Sequence, residues 1–156
     1  MPETIFTMGY GRTSREAFQE RLLCLHEEVD KRILVIDIRK EGSRSRNGKW
    51  CHSVELSRTV YELGTGYGCW THTLLVNQHG NTKAGLEEYR SHLRASLVMN
   101  DLLDNIYNNT HNCYVLLCAE RKPFKTNDKT PNCHRVILAE ELVKELGEDW
   151  EVKHLE

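Results

Sequence analysis

The sequence lacks a membrane-spanning segment, an export signal and a strong net charge. No apolar run approaches the roughly 20 residues that a bilayer requires, and the first residues, MPETIFTMGYG, have neither a basic start nor a long apolar stretch. The net charge is only −2, so the chain has no global positive field for nucleic acid. These absences predict a cytoplasmic protein with no membrane partner.

Metal-binding cysteine motifs, internal repeats and low-complexity linkers are absent as well. No two cysteines have the spacing CxxC, the usual zinc signature, and we expect no metal ion and no cofactor. Six cysteines could form bridges in a secreted protein, but without an export signal reduced thiols are the favoured interpretation. A chain of 156 residues is long enough to bury a core without such bridges, and we expect one domain over residues 1–156.

Apolar segments and helical patterns alternate along the chain. Predicted strands lie in TIFTMGYG, RILVIDIR, GCWTHTLLV, CYVLLCAE and WEVKHL. Helical patterns lie between them: one capped by Ser14, one over 53–63, one over 86–107, and CHRVILAEELVKEL, which stops at Gly147. This alternation predicts a single-domain α/β fold with a mostly parallel sheet flanked by helices on both faces.

Chemically rich side chains follow the predicted strands. Tyr10 follows the first strand, Asp37 and Arg39 close the second, and Cys118 and Glu120 close the fourth. Ligands of parallel sheets bind beyond the carboxyl ends of the strands, so these residues should surround one pocket. A buried carboxylate at such a place is either paired with a cation or directly functional. The sequence leaves both possibilities open for Asp37, with Arg39 or Arg135 as the pairing cation.

The segment PNCHR predicts the start of the last helix. Asn132 is a good N-cap, which would place Cys133, His134 and Arg135 in the first turn. A helix N-terminus has unpaired N–H groups and a partial positive charge, so it favours a phosphate or a thiolate. Cys133 would then be partly thiolate near neutral pH, and Arg135 would offer a fork to phosphate or carboxylate.

Three uses of this turn compete. Cys118 or Cys133 could be a nucleophile, with Glu120 or His134 moving protons. A zinc site from Cys118, Cys133 and His134 is disfavoured, because Cys133 and His134 are adjacent in the chain. Simple packing would explain Cys118 as a buried hydrophobe, but it explains the Cys-His-Arg turn poorly.

Basic residues concentrate in two loops, although the total charge is near zero. One loop spans 39–49 and the other spans 121–135. If both follow parallel strands, they lie on the same rim and form a positive mouth. The alternative is that they are ordinary solvated loops.

Several motifs together resemble a known family. MGYGRTSREAF, VIDIR followed by SRSR, YRSHL, LLCAE followed by CHR, and VKHL occur in order over nearly the whole chain, and they resemble the bacterial and phage family known as domain of unknown function four-eight-eight. The resemblance implies a compact α/β fold with these signature residues around one pocket: Gly9, Tyr10, Asp37, Arg39, Cys118, Glu120, Cys133, His134 and Arg135. A serine-arginine pair of that family corresponds to Ser43-Arg44 or Ser45-Arg46. The DNA and mobile-element context of family members implies a nucleotide or nucleic acid as ligand.

The leading functional hypothesis is an enzyme that acts on a phosphate-bearing ligand, either a nucleotide or a nucleic-acid element. Its expected catalytic residues are Cys118, Glu120, Cys133 and His134. Its expected ligand-binding residues are Tyr10, Asp37, Arg39, Arg44, Ser45, Arg46 and Arg135. One alternative is a nucleic-acid or nucleotide-binding module without catalysis, in which Tyr10, Trp50 and Trp70 stack on bases. The other is a thiol redox or sulfur-transfer protein with a disulfide between Cys118 and Cys133.

Overall fold

A computed structural model describes residues 3–39, 49–51, 53–118, 120, 122–125 and 131–155. These residues contain five strands and five α-helices in this order: β1 (Glu3–Gly9), α1 (Arg15–Val29), β2 (Arg32–Asp37), α2 (Ser53–Tyr61), β3 (Tyr67–Thr71), α3 (Lys83–Ala95), α4 (Leu97–Asn108), β4 (Asn112–Cys118), α5 (His134–Leu146) and β5 (Trp150–Leu155). None of the described helices combines the length and the apolar character needed to cross a membrane.

The five described strands form one parallel sheet in the order β3-β2-β4-β1-β5. Strand β4 lies between β1 and β2, so the end of β4 has a neighbouring strand end on each side. The register aligns Gly9 with Cys118 and Asp37 with Leu117. The carboxyl ends of these strands therefore meet at one edge, and the predicted single-domain α/β fold with a mostly parallel sheet is confirmed.

Helices cover both faces of the sheet, as predicted. On one face, sheet residues such as Ile36 and Leu116 pack with apolar side chains of α3, α4 and α5. On the other face, Val35 and Leu117 pack with α1 and α2. Burial on both faces explains why the central strands are almost continuously apolar.

Two predicted elements have different bounds in the structure. The third strand ends at Thr71 and is followed by a 3₁₀ turn, Thr73–Leu75, instead of continuing to residue 76. The single helix predicted over 86–107 is two helices, because Ser96 is extended and its hydroxyl accepts a hydrogen bond from the N–H of Val98. The apolar pattern continues through this break because α3 and α4 pack on the same face of the sheet.

An ion-pair cluster joins α3 to α5. Arg90 Nη1 and Arg94 Nη2 donate to Glu141 Oε1 at 2.7 and 3.0 Å, and the Glu141 side chain is almost fully buried. Burial raises the pKa of Glu141, but the hydrogen bonds from Arg94 and Arg90 outweigh that effect, and the pKa lies below its ordinary value of 4.5. In the folded protein, the carboxyl group of Glu141 is therefore ionised at neutral pH.

We expect the wild-type protein to lose more stability in acid than the Glu141→Gln variant. A carboxyl group with a lowered pKa in the folded state contributes stability above its unfolded pKa, and this contribution is lost as the pH falls through the folded pKa. Urea midpoints of both proteins, measured between about pH 7 and about pH 3, test this expectation. Glu87→Gln is the control, because Glu87 is exposed and 3.7 Å from Arg90. If the urea midpoints of wild type and Glu141→Gln fell equally with decreasing pH, the prediction would be contradicted.

Candidate active site at the carboxyl edge of the sheet

Two cysteines meet where β4 ends and α5 begins. The structure joins Cys118 and Cys133 in a disulfide across 15 positions of sequence, and their Cα atoms are 7.3 Å apart. Both residues are buried. The two come close, as predicted, because the chain leaves β4 and returns to α5 at the same edge of the sheet.

The structure bonds this pair, whereas the sequence had favoured reduced thiols. The other four cysteines, Cys24, Cys51, Cys69 and Cys113, form no disulfide. Burial raises the pKa of the Cys69 thiol to about 11 and that of the Cys113 thiol to about 12. Those two thiols are therefore protonated and unreactive near neutral pH.

The last helix begins one residue later than predicted. Cys133 is the N-cap, with extended backbone angles (φ −150°, ψ 147°), and α5 starts at His134. Asn132 instead uses its backbone N–H to bond the Pro123 carbonyl at 2.8 Å. The Cys133 side chain makes no capping hydrogen bond, because sulfur is a weak acceptor. Only His134 and Arg135 of the predicted trio lie in the first turn.

His134 is oriented by the backbone of β2's end. Its Nε2 lies 2.8 Å from the Ile38 carbonyl oxygen. A carbonyl can only accept, so Nε2 carries the proton and Nδ1 keeps its lone pair. Nδ1 lies 3.6 Å from Sγ of Cys133, and the Tyr89 ring makes an edge contact with the imidazole.

The imidazole of His134 is neutral at neutral pH. The pKa of His134 is lowered to about 4: burial is the main cause, the hydrogen bond to Ile38 opposes it, and the charge of Arg135 acts in the same direction as burial. A neutral ring with its lone pair on Nδ1 can accept the proton of a thiol or bind a metal ion. The predicted role of His134 in moving protons stays a prediction.

Asp37 and Arg39 form a fully buried ion pair. Arg39 Nε and Nη2 donate to the two carboxylate oxygens of Asp37 at 2.7 and 2.9 Å, and the Arg39 backbone N–H donates to Oδ1 at 3.0 Å. Neither side chain is exposed. Of the two possibilities that the sequence left open for Asp37, the structure contains the ion pair.

The third side-chain nitrogen of Arg39, Nη1, does not take part in the bonds to Asp37. Nη1 is buried and has no hydrogen-bond partner among the residues that the structure describes. The guanidinium also lies over the ring of Tyr10, with Cζ 5.0 Å from the ring centre. The other two side-chain nitrogens of Arg39 hold Asp37, and the guanidinium also interacts with the Tyr10 side chain.

Arg135 holds the chain just after β4. Its Nη1 donates to the backbone carbonyl of Glu120 at 2.9 Å, and its side chain is buried. A Cβ atom on Gly9 would overlap both the Glu120 oxygen and Nη1 of Arg135. Gly9 is therefore the residue that leaves room for this contact. Glu120 contributes its backbone carbonyl to this contact, and the predicted role of its carboxylate stays a prediction.

The aromatic residues near this edge pack within the protein. Tyr10 is buried, and its ring makes an edge contact with Trp50, which also packs on Phe18. Trp70 packs beside His72. A stacking role on nucleic-acid bases is thus excluded for Tyr10 in this conformation, because its ring is covered by protein.

Sequence reasoning missed His154 of β5. Its Nδ1 lies 2.7 Å from the hydroxyl oxygen of Thr7, and its ring makes an edge contact with Phe124. Burial lowers the pKa of His154 to about 4, and the charge of Arg135 contributes in the same direction. The only sequence signal was the VKHL motif of the family resemblance.

Part of the predicted site lies outside the described residues. This applies to Arg44, Ser45 and Arg46, and to the basic residues within 40–48, 121 and 126–130. The positive mouth therefore stays a prediction. Arg39 and Arg135 do not line an open mouth, because both are buried and bonded within the protein.

No family model, curated protein or solved structure matches this chain. The resemblance to the domain of unknown function four-eight-eight stays a prediction, as do the nucleotide and nucleic-acid ligands that it implies.

Proposed function

We propose that this chain is a thiol–disulfide oxidoreductase whose reacting groups are Cys118 and Cys133. The observation that supports this function is the disulfide between these two cysteines at the carboxyl edge of a parallel sheet. The pairing is selective, since the other four cysteines form no disulfide. In the predicted cytoplasmic compartment, a disulfide is more often catalytic or redox-sensing than structural.

Cys133 is the better candidate for the attacking thiol. It precedes α5, where the unpaired N–H groups and the helix dipole stabilise a thiolate. Nδ1 of His134 lies 3.6 Å from its sulfur, and the Arg135 cation follows. Cys118, at the end of a strand with its sulfur 3.9 Å from the Glu120 carbonyl oxygen, suits the second, resolving role.

The reaction is a two-step exchange. The sulfur of Cys133 attacks one sulfur of a substrate disulfide, the substrate S–S bond breaks, and the electron pair leaves with the other sulfur. The Cys133 proton passes through Nδ1 of His134 to this departing thiolate. Cys118 then attacks the Cys133 sulfur, and the second substrate thiol departs with the Cys118 proton. The substrate gains two electrons, the cysteine pair is oxidised, and an external dithiol reduces it again.

Replacing either cysteine by serine should separate the two roles. We expect Cys133→Ser to lose at least about 1,000-fold in turnover of a small aromatic disulfide, because no attacking thiol remains. Cys118→Ser should instead accumulate a mixed disulfide on Cys133, which mass spectrometry detects. Cys24→Ser is the matched control, since Cys24 is exposed and free.

Two outcomes would contradict this function. One is undiminished turnover by Cys133→Ser. The other is a disulfide map of the oxidised wild-type protein that does not contain the Cys118–Cys133 bridge. Titration of that bridge in glutathione buffers adds a measurement that does not depend on how well a bulky substrate reaches two buried sulfurs.

A second candidate is thiol-dependent catalysis on a phosphate-bearing ligand. Its support is the buried Nη1 of Arg39 together with the start of α5, where Cys133 makes no capping hydrogen bond. Pyrophosphate binding by calorimetry, in wild type and in Arg39→Lys, tests it. Binding that depends on Arg39 and on salt, without turnover, would favour the non-catalytic binding module.

A further inference from the structure

We propose that the reduced Cys118–Cys133 pair, together with Nδ1 of His134, binds a thiophilic divalent ion such as Zn²⁺, and that the bound ion blocks the thiols. The inference rests on the proposed function only in requiring that the pair be reduced in part of its cycle. The ion would then be a redox-dependent inhibitor of the same site.

The first argument is the convergence of the two sulfurs. The Cα atoms of Cys118 and Cys133 are 7.3 Å apart, yet both side chains point at one position between them. Disulfides usually span roughly 4.4–6.8 Å between Cα atoms. The backbone spacing is therefore wide enough to place an atom between two thiolates once the bond is reduced.

The second argument is the distance between Cys133 and its neighbour. Zinc binds sulfur at about 2.3 Å and imidazole nitrogen at about 2.1 Å, so two such ligands at a tetrahedral angle are about 3.6 Å apart. Sγ of Cys133 and Nδ1 of His134 are 3.6 Å apart. Their adjacency is no obstacle, because Cys133 is extended while His134 begins the helix, and the two side chains reach the same position.

The third argument is that the tautomer and the ring orientation of His134 already suit a metal ligand. Metal-binding histidines usually donate their other ring N–H to a carbonyl or carboxylate, which fixes the tautomer and the orientation of the ring. Nε2 of His134 lies 2.8 Å from the Ile38 carbonyl oxygen, and Tyr89 packs against the ring. Nδ1 is therefore held toward the Cys133 sulfur before any ion arrives.

Charge and softness select the ion. Two thiolates neutralise one divalent cation, which suits a buried site near the Arg135 cation. Thiolate and imidazole favour zinc over magnesium or calcium. Three protein ligands leave a fourth position for water or a small ligand.

Oxidation removes this site. The sulfurs of a disulfide are no longer thiolates, the form of cysteine that binds a metal ion, and the described part of the chain contains no group of three His, Cys, Asp or Glu residues suited to a metal ion in this oxidised state. Binding should therefore occur in the reduced protein and be lost on oxidation.

The test is titration of the full chain with Zn²⁺ in competition with a chromophoric chelator, and with Cd²⁺, whose thiolate complexes absorb in the ultraviolet. We expect the reduced wild-type protein to bind one ion per chain and the oxidised protein to bind none. Cys118→Ser and Cys133→Ser should each weaken binding by more than about 100-fold, and His134→Gln by at least about 10-fold. Cys24→Ser should bind as the wild type does.

Equal binding by the oxidised and reduced proteins would overturn the inference, as would wild-type affinity in the Cys118→Ser/Cys133→Ser double variant. Circular dichroism identifies any variant that fails to fold; if His134→Gln does so, the two serine variants decide. Disulfide reduction measured with a chelator present tests the proposed function separately. Metal binding without turnover would support the metal site and contradict the oxidoreductase function. Turnover without metal binding would support the oxidoreductase function and contradict the metal site.

Discussion

Replacing Gly9 by alanine should destabilise the protein by about 3 kcal/mol or more. The added Cβ would overlap the carbonyl oxygen of Glu120 and Nη1 of Arg135. Gly9 cannot easily move away, because it pairs with Cys118 between neighbouring strands of the sheet. The Glu120 oxygen belongs to the backbone, so it cannot rotate aside as a side chain would. The free energy of unfolding from urea denaturation measures this loss.

Gly66→Ala is the matched control for this substitution. A Cβ on Gly66 would lie 3.1 Å from Cε1 of the His26 ring, a side chain that can shift. We expect the change in unfolding free energy to stay within about 1 kcal/mol. If Gly9→Ala were as stable as Gly66→Ala, the close approach of β1 to Glu120 and Arg135 would not exist in solution.

Asp37→Asn should cost about 3–5 kcal/mol of stability, because it leaves the buried guanidinium of Arg39 without its counter-charge. The amide has nearly the same size as the carboxylate, so the loss reports charge and hydrogen bonding more than volume. Chemical denaturation of the variant, with the slope compared to wild type, measures the change.

Two further variants serve as comparisons for Asp37→Asn. Asp37→Leu combined with Arg39→Met replaces the buried pair by apolar groups and should recover most of the lost stability. Glu55→Gln breaks the exposed pair of Glu55 and Arg58, whose atoms are 2.9 Å apart, and should cost less than about 1 kcal/mol. If Asp37→Asn cost no more than Glu55→Gln, a direct role of Asp37 in ligand binding would be the better explanation.

Most of the fold could be predicted because its signals are local. The apolar runs around Ile33–Ile38 and Val115–Cys118 predict buried strands, and the spacing of Phe18, Leu22 and Leu25 predicts α1, whose N-cap Ser14 accepts a hydrogen bond from Ala17. Two element boundaries were predicted wrongly because a competing hydrogen bond was not considered. The Ser96 hydroxyl divides a continuous apolar pattern into two helices. The N-cap shifted from Asn132 to Cys133 because Asn132 bonds the segment near Pro123.

Less of the candidate site could be predicted. Its residue types follow from their positions after strands, and the rule for parallel sheets places Cys118 near Cys133. Their partners do not follow, because they are backbone atoms of distant segments. The Ile38 carbonyl that orients His134 and the Glu120 carbonyl that receives Arg135 have no signature in the letters of the chain.

The sequence by itself determined the order of strands and helices and the edge at which cysteine, histidine, aspartate and arginine side chains collect, because burial patterns and chain connectivity depend on neighbouring residues. Only the tertiary structure decided which of these groups pair: Asp37 with Arg39, Cys118 with Cys133, and His134 with Ile38. Such pairings are made or lost by differences of a few tenths of an ångström in the distance between two groups. These distances are set by the packing of the whole sheet and its helices, because the groups lie on segments far apart in the chain.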